Sequence, residues 1–108
     1  MPSKTPKKSL PKRFVKFRAD YPKVAEAFDE LGTAVTGAGP LDKKTVELMR
    51  LALAVGAREE GGVHSHTRRA IEAGATSDEI RHVVLLSITA IGFPNAMAAM
   101  SWVEDVLD

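Results

Sequence analysis

From Lys12 onward the apolar positions recur at three- and four-residue spacing, and no segment alternates convincingly at two, which predicts helices throughout and no sheet. Phe14, Phe17 and Tyr21 fall at i, i+3 and i+7 among Lys12, Arg13, Lys16 and Arg18, a short helix with one apolar face that Pro11 can open. Pro22 opens a second helix, in which Val24, Ala25, Phe28 and Leu31 repeat at helical spacing until Gly37, Gly39 and Pro40 end it. Asp42 is placed to cap a third, running to about Ala57. Gly61 and Gly62 break the chain or loosen the start of a fourth, which reaches Ala73 before Gly74 stops it. Thr76 with Glu79 forms a capping box for a fifth through Ile91, and Pro94 opens a sixth that runs to the C-terminus. The expected class is all-α, with no internal repeat.

The last two helices lack a polar face. Val83, Val84, Leu85, Leu86, Ile88 and Ile91, then Ala96 to Met100 with Trp102 and Val103, are apolar nearly all round, and such a helix is buried on every side. A chain of 108 residues is one domain, here 11–108, and has little material to cover them. Burial then calls for a partner subunit, giving a homo-oligomer, or for a well-covered central helix within one subunit.

Composition narrows the function. No apolar run approaches the roughly 20 residues of a membrane span, and no secretion signal is recognisable, so a cytoplasmic location without membrane association is the expectation. The net charge of +1 conceals an asymmetry: residues 1 to 24 hold eight Lys or Arg against Asp20 alone, and the rest carries a balance of −6. The first ten residues read as a flexible basic tail, and with few aromatics and no reading motif the basic segment is a solvated or subunit-clasping arm, not a nucleic-acid site. Cysteine is absent, which excludes disulfides, thiolate ligands and a redox thiol in this chain.

The candidate chemistry sits in EEGGVHSHTRR, Glu59 to Arg69. On a regular helix Glu59, Gly62 and His66 share one stripe and Glu60, His64 and Arg68 another, so the two histidines point to nearly opposite sides. Glu47, one helix earlier, lies on a charged face that turns apolar; it is either half buried or paired with Lys43 or Arg50. Read blandly, His66 is tied into a core network, and His64 is an exposed side chain paired with Glu60. A metal reading joins Glu60 and His64, at i and i+4, to His66 or His82.

The run ELMRLALAVGAREEGGVHSHTRRAIEAGATSDEI, Glu47 to Ile80, resembles the carboxymuconolactone decarboxylase and alkyl hydroperoxidase D (AhpD-like) family, an all-α group of small oligomeric proteins. The likeness covers roughly residues 28 to 108 and leaves out the basic arm. The peroxidase branch is marked by Glu, eleven residues, then Cys-x-x-Cys-x-x-x-His. Position by position its glutamate falls on Glu47, its histidine on His66, and its two cysteines on Glu59 and Gly62. With neither thiol present, nothing attacks a peroxide or forms the resolving disulfide, so the peroxiredoxin activity of that branch is not expected.

The decarboxylase branch needs neither cysteine nor cofactor, and the resemblance therefore implies acid/base decarboxylation of a small lactone or carboxylic acid, with no metal. It implies His66 as proton donor and Glu47 as its orienting group, with Glu60 or His64 as a proton shuttle. Arg58, Arg50 or Arg68 would hold the substrate carboxylate, and Gly62 would leave room for the ligand. The expected partners are other copies of the chain, in a trimer or hexamer, and the small acid or lactone. The alternative is an oligomeric binding protein that keeps the fold without turnover.

Overall fold

The structure is a computed structural model and describes residues 10–107. Except for Leu10, the expected basic tail lies outside the described residues. These form two compact units, 10–42 and 43–107.

The first unit is a pair of helices, α1 (Lys12–Asp20) and α2 (Pro22–Thr36). The two are separated by Tyr21 alone, because Pro22 at the head of α2 pushes the residue before it off the helical backbone. The Arg18 guanidinium clasps α2 through a bidentate pair with Asp29 and lies over the Phe14 ring, 5.4 Å from its centroid. Ala25 is buried, whereas Val24, Phe28, Leu31 and Val35 form an exposed apolar stripe along α2.

The second unit contains α3 (Lys43–Ala57), α4 (Glu60–Glu72), α5 (Ser77–Ile91) and α6 (Phe93–Glu104). Its core joins Leu51 and Val55 of α3, Val63 and Ala70 of α4, Ile80 and Val84 of α5, and Val103 of α6 with Leu107 beyond it. The Thr76 hydroxyl accepts the Glu79 N–H at 3.1 Å while the Glu79 carboxylate accepts the Thr76 N–H at 2.9 Å, the capping box read from the sequence. No strand occurs among the described residues, so the class is all-α. Nor is any of these helices long and apolar enough to cross a membrane.

The sixth helix stops at Glu104, short of the expected run to the C-terminus, and of the two readings of the glycine pair the break is ruled out. The glycine pair does not interrupt α4, which starts at Glu60 and carries both glycines inside its first turn. A Cβ on Gly62 would stand 3.2 Å from the Ala54 Cβ, so the missing side chain is what lets α3 and α4 approach closely. Helical geometry at this position is held by packing, which offsets the intrinsic cost of glycine.

The turns after α3 and α4 are built alike. Gly74 has a left-handed backbone at φ +97°; its N–H reaches the Ile71 carbonyl at 3.0 Å and the next N–H, of Ala75, reaches Ala70 at 2.9 Å. That double bond is the Schellman stop. After α3 the same pattern recurs, Arg58 N–H to Val55 at 3.0 Å and Glu59 N–H to Ala54 at 3.1 Å, but the left-handed position is held by an arginine at φ 56°. This turn folds α4 back along α3 and brings the middle of α4 opposite the first half of α3.

Candidate functional site

Two clusters emerge, and α4 contributes to both. In the first, Glu47 of α3 meets His66 of α4. Glu47 is only 7% exposed, and one of its carboxylate oxygens, Oε2, accepts from the Arg50 guanidinium one turn on at 3.3 Å. The other, Oε1, stands 3.5 Å from Nδ1 of His66, too far and too poorly aligned for a hydrogen bond. Both atoms are buried without a hydrogen-bond partner. A carboxylate and an imidazole left in this state within one protein face are an incomplete polar pair, the kind of arrangement that tightens around a proton or a ligand.

Burial lowers the His66 pKa below 6.5, because the imidazolium loses hydration, and the Arg69 charge one turn further along α4 and the Arg50 charge lower it too. Glu47 pulls the other way, through its negative charge close to the ring, without overcoming them. Near neutral pH the ring is thus mainly uncharged, and its imidazolium is a stronger acid than that of an exposed histidine.

The second cluster begins one face round the helix. His64 is buried, 6% exposed, and its Nε2 lies 2.9 Å from a carboxylate oxygen of Asp105, just past the end of α6. The bland sequence reading, an exposed His64 paired with Glu60, is therefore corrected: Val63 and Thr67, both fully buried, carry His64 inward, where it meets an acidic residue from a distant part of the chain. Glu60 stands near by, so that one donor atom each from Glu60, His64 and Asp105 lie within 4.8 Å of one another. Neither His66 nor His82 belongs to a comparable group of three among the described residues, so the companion that the metal reading sought is Asp105.

The residues proposed from the sequence are accordingly divided. Glu47 and His66 come together with Arg50; Glu60 and His64 come together with Asp105. Arg58 is exposed in the α3–α4 turn, and Glu59 precedes α4 on extended backbone, so it does not share the helical stripe of Gly62 and His66. Arg68 is partly buried, with one guanidinium nitrogen lacking a partner, and its pKa is lowered by burial and by Arg69. Two participants were missed. Arg69 was legible, three residues from His66 on the same helix face. Asp105 was not, since 41 residues separate it from His64 and no periodicity relates them.

The model of the Carboxymuconolactone decarboxylase family matches residues 22–105. A carboxymuconolactone decarboxylase family protein from Legionella pneumophila, solved in its apo form, superimposes with a TM-score of 0.73 at 32% identity, over 86% of this chain and 83% of that one. An uncharacterized protein of Haemophilus influenzae is 39% identical over 59 residues, 55% of this chain and 52% of its own, so the match spans about half the length of that relative. The match from α2 to the end of α6, with a glutamate of α3 facing a histidine of α4 and no cysteine anywhere, makes this chain a thiol-free member of the carboxymuconolactone decarboxylase family.

Proposed function

We propose that the protein carries out cofactor-independent decarboxylation of a small lactone or carboxylic acid at Glu47 and His66, in a homo-oligomer. The observation that carries this reading is the buried, incompletely bonded pair of Glu47 Oε1 and His66 Nδ1 at 3.5 Å. With Nδ1 turned to the carboxylate, Nε2 is the nitrogen left for a substrate. The substrate's own carboxylate leaves as carbon dioxide, its bonding electrons passing into the conjugated lactone carbonyl as an enolate. The imidazolium Nε2–H then protonates the enolate carbon, and the neutral ring regains its proton from solvent. Glu47 keeps the ring in orientation and stabilises its charged form. The nearby charges of Arg50 and Arg69 favour an anionic substrate and the developing enolate.

The oligomer is supported by large apolar side chains left bare on the single chain. Leu53, Leu85, Leu86 and Phe93 in one unit, and the α2 stripe in the other, are each more than half exposed. Copies of the same chain, as a trimer or hexamer, are the proposed cover.

The test is release of carbon dioxide from a carboxymuconolactone by the purified protein and by His66→Gln. Loss of a proton donor should reduce kcat by about 10²- to 10⁴-fold. In the unmodified protein, kcat/KM should fall as pH rises through the lowered His66 pKa, below 6.5, because only the imidazolium donates. Glu47→Gln, by removing the one attraction that raises that pKa, should move the limb further to acid. Turnover by His66→Gln equal to that of the parent would rule out the role.

A further inference from the structure

We infer that Glu60, His64 and Asp105 form a binding site for one divalent ion of the zinc class, separate from the Glu47–His66 pair. Their three donor atoms, one imidazole nitrogen and two carboxylate oxygens, lie within 4.8 Å of one another, and those of His64 and Asp105 are 2.9 Å apart. Donors around a bound zinc sit at roughly 2.0 to 2.2 Å from it, hence some 3 to 4 Å from each other. The separations to Glu60 are the ones left to adjust. Glu60 can adjust them by rotating, because it is exposed in the first turn of α4.

The other two donors are on firm ground. His64 follows the fully buried Val63, the fully buried Thr67 comes within the same turn, and its ring is itself nearly excluded from water. Asp105 sits between Val103 on one side and Val106 and Leu107 on the other, all buried. Those neighbours fix both backbones, so the donors are held by the core and not by mobile loops.

A second observation points to a cation. Asp105 is the C-cap of α6, the end where the helix dipole is negative and where a carboxylate is disfavoured. With Glu60 close by, two negative groups gather at that end around an imidazole that is neutral unless protonated. A divalent ion balances both carboxylates and the dipole at once. One nitrogen with two oxygens suits zinc, manganese or cobalt better than magnesium or calcium, which favour all-oxygen shells. Three protein donors leave a coordination position for water, and the bound ion would tie the start of α4 to the end of α6.

Tag-free, chelator-treated full-length protein should take up one Zn²⁺ per chain in calorimetric titration, with a rise of several degrees in Tm. Glu60→Gln and Asp105→Asn keep the size of two exposed side chains, and the Asn amide can still bond the buried His64; each should weaken Zn²⁺ binding roughly tenfold or more by replacing one of three carboxylate or imidazole donors. His66→Gln and His82→Gln should bind as the parent does. Absence of Zn²⁺ binding, an equal response to Mg²⁺, binding undiminished in Asp105→Asn, or binding lost in His66→Gln would each overturn the assignment.

Discussion

His66 enters the folded protein with its charged form disfavoured, and that has a consequence for stability as well as for chemistry. Its folded pKa is below the ordinary 6.5, so as pH falls through that value the unfolded imidazole takes up a proton that the folded one does not. The unfolded chain then binds more protons, and stability falls. The loss begins near pH 6.5 and ends once the folded ring also protonates. Urea midpoints measured between about pH 8 and pH 5 should show this slope in the parent protein and a shallower one in His66→Gln. A midpoint that rises on acidification, or the same slope in both proteins, would contradict it. At this scale the sequence was informative where neighbours lie on the same helix, as with Glu47 and Arg50, while the pairing of Glu47 with His66 across two helices came from the family resemblance. It was silent where a contact depends on how helices are brought together: nothing local to His64 announces Asp105.

At the scale of the element, boundaries were readable because they are chemical events: proline at the start of α2, the Thr76–Glu79 box at α5, Gly74 behind α4. The end of α3 at Ala57 was readable too, although the left-handed residue behind it is Arg58 and carries no glycine signature. A side chain with a Cβ in that conformation costs about 1 kcal/mol or more. Arg58→Gly should therefore stabilise the protein by about 0.5 to 1 kcal/mol, after allowing for the freer unfolded chain, read as a raised urea midpoint at unchanged m-value. Turnover measured on the same variant separates the backbone effect from a grip of the guanidinium on substrate. Of the two readings at Gly61 and Gly62, the break does not occur. Glycine predicts interruption when only its own propensity is considered; here the close approach of Ala54 supplies a reason for it to be helical.

For the whole molecule, the helical class and the order of six helices followed from periodicity, since a spacing of three and four persists through α2 to α6. The fate of the apolar surplus did not follow. Leu85 and Leu86, read from the sequence as buried, are exposed on the single chain, as are Phe28 and Leu31. Light scattering behind size exclusion should give a mass of several chains, and Phe28→Glu with Leu31→Glu should lower it or make it depend on concentration. A parent protein that elutes as a monomer at micromolar concentration would remove the argument for assembly.

The close seating of Gly62 on Ala54 also bears on how reversible the missing thiols are. Writing cysteine at position 62 places a Cβ 3.2 Å from the Ala54 methyl, so the α3–α4 contact has to give by a few tenths of an ångström to take it. In this chain the bare position 62 is matched to the short distance between α3 and α4, and a side chain there is best received with a smaller residue at position 54.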